Sequence, residues 1–211
     1  GFWQGVWSTT DGGDTWQMLS HIPSAPSHIS AVAVASPAAG KHTLLAGGPY
    51  GGVYQSADEG ATWTWNGDPG TIHRLRFHPA LPDIALAAGY GLWRSTDAGL
   101  QWTRVTTMTT VYDVAFADDG SAFAVFDNAV WRSDDDGATW QQLGSALSKP
   151  LQHLGVSGDG AALFAATDTQ LYRYDATAGE LVAVPVQPAP GYILRLAPSP
   201  VFADDQTLLI G

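Results

Sequence analysis

Carboxylates, imidazoles and loop-borne aromatic rings are the groups in this sequence that could act on another molecule. Asp83, the adjacent pair Asp118-Asp119 and the pair Asp204-Asp205 are of the type that serves as acid and base in glycoside hydrolysis. Glutamate occurs only as Glu59 and Glu180. The six histidines lack metal-ligand spacing, and with no cysteine there is no thiolate ligand. A ring of His28, His73 and His153 could in principle hold zinc, but a lone histidine near a channel is more often a hydrogen-bonded structural residue. No metal and no cofactor is expected. No nucleophile elbow, His-Glu-x-x-His pair or phosphate loop occurs.

Whether these residues can meet depends on the elements that carry them, and those elements repeat. Thr9-Thr10-Asp11-Gly12-Gly13-Asp14-Thr15-Trp16 recurs as Ser56-Ala57-Asp58-Glu59-Gly60-Ala61-Thr62-Trp63. It returns as Ser95-Thr96-Asp97-Ala98-Gly99-Leu100-Gln101-Trp102 and as Ser133-Asp134-Asp135-Asp136-Gly137-Ala138-Thr139-Trp140. Gln101 stands where the other three copies have Thr. The tryptophans are 47, 39 and 38 residues apart. A worn fifth copy, without Trp, falls near Tyr172–Gly179. A short strand precedes each clear box, and the Trp begins the next. The Asp should accept hydrogen bonds from N–H groups two or three residues on, the Gly should supply positive φ, and the Trp should bury its ring. An aromatic stands four before each box Asp (Trp7, Tyr54, Trp93, Trp131), so seven of the nine tryptophans hold repeat positions. Asp11, Gly13, Trp16, Asp58, Gly60, Trp63, Asp97, Gly99, Trp102, Asp135, Gly137 and Trp140 are therefore read as structural.

This motif resembles the Asp-box, or BNR repeat, of sialidases, sortilin-type receptors, xyloglucan-degrading glycosidases and photosystem II assembly factors. The resemblance implies an all-β fold, a β-propeller of four-stranded antiparallel blades, and leaves function open because those relatives do unrelated things. The arginine triad and Arg-Ile-Pro element of sialidases have no match at Leu75-Arg76-Phe77 or Leu194-Arg195-Leu196.

Two further strands are expected upstream of each hairpin: 29–35 and 43–47, 72–77 and 84–88, 111–116 and 122–126, 151–156 and 162–166. Small and β-branched residues suit strands buried on both faces. Residues 192–196 and 206–211 supply two inner strands without a hairpin, and the N-terminal segment supplies a hairpin without inner strands. The blades should span 27–66, 71–105, 110–144, 151–186, and 192–211 joined to 1–20. The expectation is one domain over 1–211 with five blades, one split between the termini. The alternative is a fragment of a propeller of six to eight blades. A closed ring would be a monomer, whereas a fragment would self-associate through open strand edges.

The boxes lie at one end of each blade, together with Asp83, Asp118, Asp119, Asp204 and Asp205. At the other end lie the loops joining second to third strand and the starts of the innermost strands. Loops over a rigid scaffold are where function concentrates. Trp3, Tyr50 and Tyr90 stand there on Gly-rich loops, each with a ring able to stack on a sugar or peptide. His28, His73, Tyr112 and His153 open the innermost strands, with Arg74, Asp113 and Arg195 beside them. These ten are the candidate ligand-binding residues.

Net charge is −11 with only two lysines, which disfavours nucleic acid as a partner. No apolar run approaches the ~18 residues of a membrane helix. The start, Gly1-Phe2-Trp3-Gln4, carries neither initiator Met nor signal peptide and reads as processed, truncated or engineered. Few lysines, 24 Gly and 9 Trp lean towards an exported bacterial protein, extracellular or periplasmic. The expected function is non-catalytic: a binding or scaffold propeller taking a glycan or protein segment on the face opposite the boxes. The alternatives are a glycoside hydrolase with paired Asp carboxylates and an assembly factor of the photosystem II type.

Overall fold

The computed structural model describes residues 5–19, 21–22, 28–35, 40–49, 51–67, 69–106, 109–186 and 191–211. Two compact units divide the chain, Gly1–Thr106 and Thr107–Gly211.

The first unit holds the hairpin β1 (Trp7–Ser8) and β2 (Gln17–Met18) and two four-stranded antiparallel sheets. One sheet is β3 (Ala31–Ala35), β4 (Thr43–Gly47), β5 (Val53–Ser56) and β6 (Thr64–Trp65). The other is β7 (Ile72–Phe77), β8 (Ala85–Gly89), β9 (Gly91–Ser95) and β10 (Thr103–Arg104). The second unit repeats the pattern with β11 (Asp113–Phe116), β12 (Ala122–Phe126), β13 (Ala129–Ser133) and β14 (Gln141–Leu143). A further sheet contains β15 (His153–Val156), β16 (Leu163–Ala166), β17 (Leu171–Asp175) and β18 (Glu180–Val184). The last elements are β19 (Leu196–Pro198), the single-turn α1 (Phe202–Asp205) and β20 (Leu208–Ile210). Each four-stranded sheet pairs its strands in chain order, as a meander. The four-stranded units foreseen from the repeat are thus present four times, and the two end segments form two-stranded sheets.

Second strands are buried on both faces: Ala85–Gly89 and Ala122–Phe126 are buried throughout. That is why they read as unbroken small and apolar runs. Within the first unit the innermost strands β3 and β7 pack together, and Ser30 Oγ donates to the Ile72 carbonyl at 3.0 Å. Leu45, Val53, Ile72 and Leu75 form their shared core, with Trp93 and Trp102 packed against it. In the second unit Asp113 plays the stapling part between β11 and β15. Its Oδ1 accepts the Val114 N–H at 3.0 Å and its Oδ2 the Leu154 N–H at 3.2 Å.

The clear boxes share one hydrogen-bond scheme. In the second copy Ser56 Oγ accepts the Gly60 N–H at 2.7 Å and donates to Asp58 Oδ1 at 2.8 Å. Asp58 Oδ1 accepts the Thr62 N–H at 2.8 Å, and Oδ2 accepts the Thr62 hydroxyl at 2.6 Å. The carboxylate thus reaches four residues on, where the sequence suggested two or three. The reason is that the N–H three residues on is held by the Asp58 carbonyl, Ala61 N to Asp58 O at 3.3 Å. Two consecutive residues also take positive φ, Glu59 at 63° and Gly60 at 88°, so the turn is longer than a simple Asx turn. Trp16, Trp102 and Trp140 each donate their indole N–H to the box Gly carbonyl.

Five expectations need correction. Residues 192–195 are not strand: β20 ends at Ile210, so the Leu194 and Arg195 N–H groups share the Gly211 carbonyl instead of entering a ladder. Three innermost strands start late, at Ala31, Asp113 and His153, where ladder pairing begins. Residues 202–205 form the short helix α1, capped by Gln206 at φ 53°, which shortens the last strand to Leu208–Ile210. The worn fifth box is a plain hairpin turn: Asp175 pairs with Glu180 across the ladder, and its Oδ1 accepts the Thr177 and Ala178 N–H groups. Lastly, Trp16 does not bury its ring. It belongs to the lone hairpin β1–β2 and is 59% exposed, against 8% for Trp63, which is packed with Ile22, Ala46 and Tyr54.

Candidate functional site

Antiparallel meanders put first-to-second and third-to-fourth connections at one end of a blade and the second-to-third connection at the other. Asp83, Asp118, Asp119, Asp204 and Asp205 all fall in first-to-second connections, at the box end. The Ala98 N–H donates to the Asp83 carbonyl at 2.8 Å, tying that connection to a box. Asp119 and Asp205 are held below the ordinary carboxylate range chiefly by hydroxyls, of Ser121 and Ser199 respectively. Glu180 is lowered by the backbone N–H of Ser145, then by its hydroxyl. These are carboxylates committed to the chain's own donors.

Asp11, Asp58 and Asp135 behave the same way. The Thr62 hydroxyl, then its N–H, then Ser56 bring Asp58 down to about 2. Thr139 and Ser133 do likewise for Asp135, also to about 2. Asp11 is held well below the usual range, first by the Thr15 hydroxyl.

The loop end differs. Of the candidates placed there, Trp3 and Tyr50 lie outside the described residues. Tyr90 forms the whole β8–β9 connection and is 49% exposed. Its N–H donates to the Thr71 carbonyl at 3.1 Å, and its own carbonyl accepts Arg104 Nη2 at 3.2 Å. Thr71 Oγ1 donates to the Pro49 carbonyl at 3.0 Å, which links the end of the first four-stranded blade to that of the second. His28 is exposed just before β3, with its carbonyl packed where a Cβ on Gly48 would stand, so residue 48 has no room for a side chain. His73 sits at a β-bulge between Ile72 and Arg74 that re-aims it, half-buried. Burial, then the neighbouring Arg74 charge, push its imidazole below the usual pKa. Structure therefore gathers Tyr90, His28, His73 and Arg74 at one end of the first unit.

In the second unit Tyr112 is 36% exposed and His153 opens β15 half-buried. Arg195 is exposed, with Nη1 on the Leu194 carbonyl at 2.9 Å. Asp113 is 5% exposed, with both oxygens on backbone N–H groups, as described above. Asp127 and Asp168, which drew no attention in the sequence, lie on the loop-end connections of this unit. Asp127 Oδ1 accepts the Thr109 hydroxyl at 2.6 Å, and the Asp168 carbonyl accepts the Ile193 N–H at 2.7 Å. A groove of about 460 Å³ lies on β17 and β18, lined by Arg173, Tyr174, Asp175, Val182 and Val184 among others, and holds none of the expected site residues. Among the described residues no group of three or more His, Asp or Glu is placed to hold a metal.

Two loop-end residues escaped the sequence reading. Trp65 is 55% exposed, and its indole N–H donates to the Gly51 carbonyl at 2.9 Å, so the ring lies beside Gly51. The signal was present: Trp65 and Trp3 are the two tryptophans outside repeat positions. Arg104 stacks its guanidinium over Trp93, 5.0 Å from the ring centroid. Both stand two residues after a box Trp, a position the motif leaves free.

Several solved structures share this arrangement. An ancestral GH74 enzyme superposes with a TM-score of 0.79 over 95% of this chain and 31% of its own, at 18% identity. YCF48 bound to D1 peptide gives 0.66 over 93% of this chain and 67% of its own, at 17% identity. The fold is a β-propeller. The extracellular domain of a putative hybrid two component system from B. thetaiotaomicron agrees, at a TM-score of 0.68 and 15% identity over 88% of this chain and 26% of its own. Sequence comparison finds a xyloglucanase of Paenibacillus sp, 27% identical over 173 residues, 62% of this chain and 17% of the relative. It also finds one from Hypocrea jecorina (strain QM6a), 30% identical over 111 residues, 46% of this chain and 12% of the relative. This chain thus spans less than a fifth of those curated relatives. No family model matches it. No described helix is long and apolar enough to cross a membrane.

Proposed function

We propose that this chain is a non-catalytic binding propeller that takes a glycan on the loop end of its first unit. The observation carrying this reading is the pair of exposed aromatics there, Trp65 held through its indole N–H and Tyr90 held through its backbone. The Trp65 indole N–H is held by Gly51, and the Tyr90 backbone N–H by Thr71. An exposed aromatic ring carried on a fixed backbone can stack on a sugar face, and for Trp65, whose indole is itself held, the ordering cost is small. The sequence matches to xyloglucanases support a carbohydrate over a peptide ligand. The kinship of the fold to an extracellular domain supports an exported, extracellular or periplasmic setting. Calorimetric titration against a panel of neutral and charged oligosaccharides tests the reading. Tyr90→Ala and Trp65→Ala should each weaken binding by about tenfold or more while the melting temperature holds. Undiminished binding in both variants would reject it.

A second reading, glycoside hydrolysis by an aspartate pair, is favoured by one observation: Asp127 and Asp168 both occupy loop-end connections of the second unit. A reducing-sugar assay on Asp127→Asn and Asp168→Asn decides it, because a hydrolase loses turnover in both and a binding module has none to lose.

A further inference from the structure

One position recurs in four hairpins and changes chemistry in each. The residue two after the box Trp is Met18, Trp65, Arg104 or Gln142. In every case it pairs across the ladder with the repeat aromatic: Met18 with Trp7, Trp65 with Tyr54, Arg104 with Trp93, Gln142 with Trp131. In three it is tied by a hydrogen bond to a backbone carbonyl: Trp65 to Gly51, Arg104 to Tyr90, Gln142 to Gly144. A Cβ on Gly5 would touch Met18, and one on Gly91 would touch Arg104, so the side chain leans over the glycine at the start of the third strand. The fold thus holds a side chain of free choice at the loop-end rim of each of these hairpins, on an aromatic floor.

At the second four-stranded blade that choice is a cation. We propose that Arg104 is the charge-reading residue of the loop end, and that it recognises the carboxylate of an acidic glycan, a uronate-bearing chain whose sugar ring stacks on Tyr90. This inference rests on the glycan reading above and extends it from ring to charge.

Three observations carry it. First, the guanidinium is held in place by the Trp93 ring and the Tyr90 carbonyl, and uses one Nη for that tether. Its Nε is buried against Gly91, so the donor end that a ligand can meet is the Nη end of the fork, of which the tether uses one nitrogen. A held guanidinium matches a carboxylate better than a flexible ammonium does. Second, charge is segregated along the chain. Residues 71–105 carry four arginines, Arg74, Arg76, Arg94 and Arg104, against two acids, Asp83 and Asp97, in a protein of net charge −11. Both of those acids lie at the box end, as do Arg76 and Arg94, which leaves Arg74 and Arg104 as the charges towards the loop end. No acid therefore stands at the loop end of this blade, although Asp68 of the preceding connection lies outside the described residues. Third, Tyr90, the residue whose backbone carbonyl accepts Arg104 Nη2, is 49% exposed. Burial, then the Arg74 charge, push the His73 imidazole of this blade below its usual pKa, so the blade's positive charge at neutral pH is chiefly arginine.

The test is titration of the full chain with a galacturonate hexamer, a cellohexaose of equal length and an oligo-aspartate peptide. The uronate should bind about tenfold or more tighter than the neutral hexamer, and the difference should shrink as salt is raised. Arg104→Gln should erase the preference while neutral binding stays, and Arg104→Lys should keep part of it. Lys149→Gln, a cation of the second unit, should change nothing. Melting temperatures separate loss of the Trp93 stack from loss of the contact. A preference that survives Arg104→Gln, or equal binding of the two hexamers, overturns the charge reading and leaves the ring reading standing. Tighter binding of oligo-aspartate than of the uronate overturns the glycan class. Binding of neither hexamer overturns both.

Discussion

The two ends of a blade are built from the same strands, yet one repeats its chemistry and the other varies it. At the box end the same hydroxyl, carboxylate and glycine recur, and each polar atom is taken by a neighbour four residues away or fewer. At the loop end the connections differ from blade to blade, and the rim residue is a thioether, an indole, a guanidinium or an amide. An end whose donors and acceptors are consumed by the fold cannot hold a ligand without breaking itself. An end that the fold only tethers is free to be chosen for a ligand. The acids with the most perturbed titration here, Asp11, Asp58 and Asp135, are accordingly turn-makers.

Substitutions should separate the ends. Gly99→Ala has the largest expected effect. Its φ is +91°, and the new Cβ would stand 2.5 Å from Leu45 Cδ2, which is fully buried. Backbone strain and overpacking together should cost about 2–4 kcal/mol in chemical denaturation. Ser133→Ala strips the hydroxyl that accepts the buried Gly137 N–H at 2.9 Å, and should cost about 1–2 kcal/mol. Tyr90→Ala at the loop end should stay within about 0.5 kcal/mol of wild type in the same assay. A loss at Tyr90 as large as at Ser133 would erase the distinction between the ends.

The pH dependence should come from the box end. Asp58 and Asp135 have folded-state pKa values near 2, below the unfolded value of about 3.9. Their contribution is therefore present above about pH 4 and is lost as pH falls towards 2. Urea midpoints taken across that window should decline, and Asp135→Asn should flatten part of the decline. The smallest effect is a gain. The third box has Gln101 in place of Thr, so Asp97 accepts the Ser95 hydroxyl at 2.8 Å and the Gln101 N–H at 2.9 Å, but no hydroxyl from position 101. Gln101→Thr restores that donor and should stabilise by about 0.5–1 kcal/mol, read as a higher midpoint.

The boxes and the blades were legible in the sequence because their determinants are local. Hydroxyl, carboxylate, glycine and indole fall within eight residues, and strand faces follow from burial on both sides. The reach of the carboxylate was misjudged, since the competing Ala61 N–H bond belongs to the three-dimensional turn. The loop end was only half legible. Tyr90 showed itself by its flanking glycines, whereas Trp65 and Arg104 are joined to their anchors across 14 residues each. The buried staple from Asp113 to Leu154 spans 41 residues and looks in sequence like a free acid beside a tyrosine. Sequence by itself determined the repeat, its turns and the face each strand buries, because those rest on contacts a few residues apart. Tertiary structure alone decided which side chains share the rim and which carboxylates are already spent, because pairing of distant strands sets the neighbours that a side chain must satisfy.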